Sequence, residues 1–170
     1  MHEGQRLVDL SALGAHQREY VARLTNVRLR QPVFRARALG ASAKSCAMCR
    51  PRHVELLDAA HIIPDGHPRG EPVVPNGLSL CKVHHAAYDH GILGVRPDLV
   101  PDLVPDLVPD LVPDLVVEVQ PKVLAEIDGP MQRYGLQQMA GARILIPREP
   151  AAQPDKERLA QRYEEFREAS

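Results

Sequence analysis

The sequence predicts an α+β fold, a compact ββα unit with flanking helices, and three observations carry that prediction. Residues 53–63 (HVELLDAAHII) and 78–80 are short apolar runs bounded by prolines or by the Asn76-Gly77 turn, as strands are. The second run leads directly into KVHHAAYDHG, a helix bearing His84, His85 and Tyr88, with Gly91 as its stop. A C-x-x-C knuckle, Cys46 and Cys49, stands immediately before the first strand.

Composition bounds the rest. At 170 residues the chain has the size of one ordinary domain, and without Trp and with only two Phe its core must be aliphatic. A small, proline-rich domain gains from an internal staple, and a structural metal is one. Three cysteines cannot all pair within one chain, and two of them in C-x-x-C spacing near histidines suggest a metal site in a reducing compartment. The polar start MHEGQRLVD lacks the apolar core of a secretory signal, and no apolar run is long enough to span a membrane. A cytoplasmic location is the expectation. Net charge is −1, yet residues 1–55 hold ten Lys or Arg against four acids. A basic third beside a candidate site suits a phosphate-backbone ligand, although solvated arginines on a helix are as common.

In chain order, residues 1–16 form a lead-in without pattern. Tyr20, Val21 and Leu24 suggest a short helix that Asn26 breaks or caps. A second helix over 27–39 places Val33, Phe34 and Leu39 on one stripe, with Pro32 in its first turn and Gly40 as its stop. Residues 17–96 thus comprise basic helices and the ββα core. From 97 to 116 the unit PDLV occurs five times. Proline at every fourth position forbids a helix interior or a central strand, so an extended insertion in a surface loop is expected. The segment 117–170 reads as scaffold: a strand at 116–119, a short helix at 122–127, a strand at 143–146 and a terminal helix at 154–169. In the last, Leu159, Tyr163 and Phe166 share a face.

The chemistry is concentrated in residues 46–90, which hold every cysteine and six of the eight histidines. Structural zinc takes four thiolate or imidazole ligands, usually as two close pairs. Cys46 and Cys49 form one pair, and Cys81 and His84 the other. His84 is preferred to His85 because it keeps the two-residue spacing and frees His85 for the opposite face. Hydrolysis of a phosphodiester needs a base, a cation beside the phosphate, and a group that holds the base's tautomer. His61 suits the base, and His85 suits a divalent ion such as Mg²⁺ or Mn²⁺. The Asn76 amide suits orientation of either His61 or its own loop. Taken singly, a histidine on an apolar strand is more often a core residue, and Asn-Gly only a turn. Their order within a zinc-clipped ββα unit is the stronger signal.

The segments CAMC, LLDAAHIIP, NGLSL and CKVHHAAYDHGIL together resemble the HNH endonucleases of restriction type. RLRQPVFR before them and EIDGPMQRYGL after the repeat are also similar, so the likeness extends over most of 17–168 outside the array. The resemblance implies a ββα-metal nuclease fold acting on DNA. In it His61 would be the general base, Asn76 a base-orienting or loop-holding residue, and His85 a metal ligand. Two departures stand out. Many members carry Asp or His directly before the base as a second metal ligand, and here that residue is Ala60. Asp58 and Asp89 are the nearest carboxylates; both stay open, Asp58 as the weaker fit because it faces away on the strand. The other departure is the repeat, since the related pattern passes from GILGVRPD directly to VVEV. An excursion from a surface hairpin preserves the site, whereas a lengthened strand against the ββα unit would compromise it.

The expectation is therefore a metal-dependent DNA endonuclease of restriction or defence type. Arg28, Arg30, Arg35 and Arg37 would grip phosphates, zinc would be structural, and a homodimer would serve to cut both strands. Two rivals come from other classes. One is a zinc-stapled nucleic-acid-binding module without catalysis, favoured by Ala60. The other is an interaction protein whose contact surface is the helix at 154–169.

Overall fold

The computed structural model describes residues 14–97, 115–127 and 129–169, and the chain divides into two compact units, Met1–Val33 and Phe34–Ser170. The lead-in up to residue 13, the repeat from 98 to 114, and the side chains of Tyr20, Val21, Leu24 and Arg28 lie outside what is described. Helix α1, Ala15–Ala41, corrects the expectation of two helices, because it continues through both Asn26 and Pro32. An interior proline removes one hydrogen bond and costs roughly 3 kcal/mol. The turns beyond it bury Phe34, Ala38 and Leu39, and that packing offsets the loss. Val33, assigned to the same stripe, is half exposed, and Ala38 takes its place. Gly40 does not reverse the chain either. Ala43 and Lys44 do so at φ 51° each, and the Lys44 amide donates to the Leu39 carbonyl at 2.8 Å.

The ββα unit follows. β1, Leu57–His61, pairs antiparallel with β2, Gly77–Cys81, in a register from Leu57↔Cys81 to His61↔Gly77. α2, Lys82–Asp89, begins at the next residue. The expected strand over 53–63 is shortened because Val54–Leu56 form a 3-10 turn. The knuckle is sewn to β2: Ala47 N–H donates to Ser79 O at 2.7 Å, and Ser79 Oγ donates to Ser45 O at 2.8 Å. On the knuckle's other side Leu145 N–H donates to Ala47 O at 2.8 Å. Residues 143–146 make this bond and a single bridge, Val116↔Arg143, so they are a tie and not the strand expected there.

A second two-stranded sheet pairs β3, Leu93–Pro97, with β4, Leu115–Val119. β3 is absent from the sequence reading. It shows that the repeat connects the two strands of an antiparallel hairpin, with Pro97 opposite Leu115. The ends of the 97–116 segment are therefore strand, not excursion. α3, Pro121–Leu124, is shorter than the helix expected over 122–127, and a π-helical turn follows at Met131–Leu136. α4, Lys156–Glu168, is capped by Asp155, whose carboxylate accepts from the Arg158 amide at 2.9 Å. It buries Leu159 and Phe166, while Tyr163 stays half exposed with its hydroxyl on Glu118. A Cβ at Gly94 on β3 would come within 2.6 Å of the Phe166 ring, so close approach of α4 requires glycine there. Among the described residues no helix is long and apolar enough to cross a membrane.

Candidate metal centre and catalytic cluster

The staple is built by local geometry. The knuckle delivers Cys46 and Cys49, the end of β2 delivers Cys81, and the first turn of α2 delivers His84. Their ligand atoms all lie within 4.8 Å of one another. Cys49 Sγ is 3.7 Å from Cys81 Sγ, and His84 Nδ1 is 3.6 Å from Cys46 Sγ and 3.4 Å from Cys81 Sγ. A tetrahedron with zinc bond lengths of about 2.3 Å to sulfur and 2.0–2.1 Å to nitrogen has edges of roughly 3.8 Å (S···S) and 3.5 Å (S···N). The donor set fits a zinc clip. His84 Nε2 lies 2.7 Å from the Gly135 carbonyl in the π-helical turn. Donation of that N–H leaves Nδ1 as the metal-binding nitrogen.

Crowding of these donors perturbs them. Hydrogen bonds from Cys49 and Cys81 push the Cys46 thiol well below its ordinary range, and the bond with Cys46 pushes Cys49 well above it. Burial opposes charge on His84, but its bonds to Cys46, Cys81 and the Gly135 carbonyl hold it up to about 10. Protons shared among so few ångströms are what a divalent ion would displace.

The expected catalytic residues lie on the neighbouring elements. His61 ends β1 and stacks on Phe34 of α1, ring centroids 4.3 Å apart. Gly77, its cross-strand partner, makes room for that stack: a Cβ there would stand 2.9 Å from Phe34 Cζ. Burial lowers the His61 pKa below 6.5, against the opposing charges of Asp65, Asp89 and Asp58. Its Nε2 is buried and meets no hydrogen-bond partner among the described residues.

His85, one residue beyond the zinc ligand, lies between two carboxylates. Its Nδ1 is 3.6 Å from Asp58 Oδ2, and its Nε2 is 3.2 Å from Asp89 Oδ2. The two acids that the sequence left as alternatives thus address opposite nitrogens of one ring. Asp58 is the more engaged of them: its Oδ1 accepts from the Ala59 amide at 2.9 Å and lies 3.5 Å from Arg35 Nε. Ala60, the residue before the base, is fully buried in the core.

Asn76 is also fully buried, and its amide meets backbone. Oδ1 accepts from Ile63 N–H at 2.9 Å, and Nδ2 donates to Ile63 O and Glu71 O at 3.0 Å each. Of the two roles left open for it, this is loop holding. Arg35 donates through Nη2 to the carbonyls of Val54 and Leu57, both at 2.8 Å, so its guanidinium anchors β1 to α1. Arg30 and Arg37 are exposed. Several supporting contacts have no sequence signal: the stack of the Phe34 ring on His61, the Gly135 carbonyl on His84, and Arg162 of α4, which donates to the carbonyls of Tyr88 and Asp89 at the end of α2 at 3.1 Å each. Only proximity in space reveals them.

In comparison with known families, residues 46–96 fit the family model described as HNH endonuclease. No curated protein and no solved structure matches the chain.

Proposed function

We propose that the HNH endonuclease segment at residues 46–96 makes this protein a metal-dependent DNA endonuclease of restriction or defence type. The observation that carries the reading is His61: a histidine kept neutral by burial, with an unpartnered buried Nε2, in the field of His85, Asp58 and Asp89. A nitrogen left unsatisfied in this way is held for a molecule from outside. His61 takes a proton from the attacking water. His85 Nε2 and Asp89 form the cation site, and a bound Mg²⁺ or Mn²⁺ would neutralise charge on the scissile phosphate. Asp58, already committed to Arg35 and the β1 backbone, orients the ring through Nδ1. Asn76 holds the loop from which β2 starts, and Phe34 fixes the plane of the His61 ring. Zinc bound by Cys46, Cys49, Cys81 and His84 is structural. Arg30 and Arg37 are exposed and suit phosphates; Arg35 is spent inside. One site per chain cuts a duplex either as two copies or by successive nicks.

Ala60 favours a second reading, a zinc-stapled DNA-binding module without catalysis. Supercoiled plasmid incubated with Mg²⁺ or Mn²⁺ distinguishes the two. Nicking by the wild type, reduced about 10²- to 10⁴-fold in His61→Ala, is the expected result. Binding without cleavage by the wild type would leave only the second reading. Because the base must be neutral and its pKa is lowered, activity falls on acidification only below pH 6.5. An acid limb above that value would argue against His61.

A further inference from the structure

Among the arginines of the described residues, Arg35, Arg69, Arg96, Arg158, Arg162 and Arg167 each face a carboxylate. Arg50, Arg52 and Arg148 are exposed and have no carboxylate partner among the described residues. Arg52 and Arg148 line one groove of about 550 Å³, walled by the end of α1 and the 42–47 turn on one side and by residues 145–149 on the other. The Leu145–Ala47 hydrogen bond fixes these walls to each other, and the Ala47–Ser79 bond fixes both to β2.

The adjoining turns carry two further exposed cations, Lys44 and Arg50, neither of which lines the groove. One acid, Glu149, also lines the groove, and it supplies an internal control.

We infer that this knuckle groove is a second contact for the phosphate backbone of duplex DNA, gripped by Arg52 and Arg148, which belong neither to the catalytic cluster nor to α1. The identity of the ligand rests on the endonuclease reading. Unpaired guanidiniums on walls joined by backbone hydrogen bonds present planar donor forks that match phosphate geometry. Contacts of this kind lengthen the footprint without reading sequence.

The test is fluorescence anisotropy of the full, zinc-loaded chain with a labelled DNA duplex, without added Mg²⁺ or Mn²⁺, across a series of salt concentrations. The double variant Arg52→Gln/Arg148→Gln should lower the slope of log affinity against log salt by about 2, one counterion-release increment of about 0.9 per phosphate contact. Glu149→Gln should tighten binding, which a merely structural role would not produce. Zinc content and circular dichroism establish that each variant is folded. An unchanged slope in a folded double variant, or no duplex binding by the wild type, would overturn the inference. Plasmid cleavage is measured separately. A wild type that binds with the predicted slopes but never cuts sinks the nuclease reading alone, and one that cuts with unchanged slopes in the double variant sinks the groove alone.

Discussion

The zinc clip and the His85 cluster lie one residue apart in sequence, at His84 and His85, yet they are built on opposite plans. In the clip four donors turn inward, at separations that a tetrahedral ion requires, and the imidazole tautomer is fixed by a backbone carbonyl. In the cluster two carboxylates stand on opposite sides of one ring, half exposed, with one of them tied to Arg35. A closed donor set holds an ion for stability, whereas an open one leaves room for water and substrate. Adjacent helical residues point about 100° apart, and that rotation lets α2 serve both sites.

The comparison is broken most severely by removing a staple ligand. Cys46→Ser should abolish zinc binding and unfold the Phe34–Ser170 unit, since a structural zinc site contributes on the order of 10 kcal/mol, comparable to a small domain's whole stability. Elemental analysis together with far-UV circular dichroism checks this; a folded, zinc-free variant would refute it. Asn76→Ala comes next. Three hydrogen bonds, two of them buried, vanish and the Ile63 amide and carbonyl lose their partners, so a loss of about 3–5 kcal/mol is expected in denaturant unfolding, with zinc still bound.

Substitutions of the open site sharpen the contrast, because they should alter ion affinity and leave stability nearly unchanged. Asp89→Asn should weaken Mn²⁺ binding by about 100-fold and Asp58→Asn by about tenfold, the difference between a ligand and an orienting partner. Titration calorimetry reads both, and the reverse order would exchange their roles. The smallest effect is the control. Deleting residues 101–112 removes three whole PDLV units and shortens the 98–114 connection from about 17 residues to about five. This stabilises the hairpin by about 1 kcal/mol through loop entropy. The melting temperature should rise by about 2–4 °C, and neither zinc content nor Mn²⁺ affinity should move. Because the units are identical, Pro97 still enters and a Leu-Val pair still leaves the loop, so the strand register survives.

What sequence spacing carries is visible where ligands are local. The C-x-x-C and C-x-x-H pairs sit on a knuckle and at a strand–helix junction whose geometry is fixed within a few residues, so their convergence was legible. His61 was legible as a strand residue, though its place at the end of β1 was not, and Gly77 was read as turn although it begins β2. Helix α1 was not, because the burial of Phe34, Ala38 and Leu39 overrides a proline that local rules place at a helix start. β3 was missed for a related reason: its partner lies beyond the repeat, and nothing in ILGVRP alone specifies pairing with Leu115–Val119.

The sequence by itself determined the donor set of the staple and the ββα order, since each depends on residue type and short-range spacing. Tertiary structure alone decided which nitrogen of His85 meets which carboxylate, that Asn76 holds backbone, and that Arg35 is an anchor. Those outcomes depend on how α1, β1 and α2 pack, and packing is a property of distances that no spacing along the chain encodes.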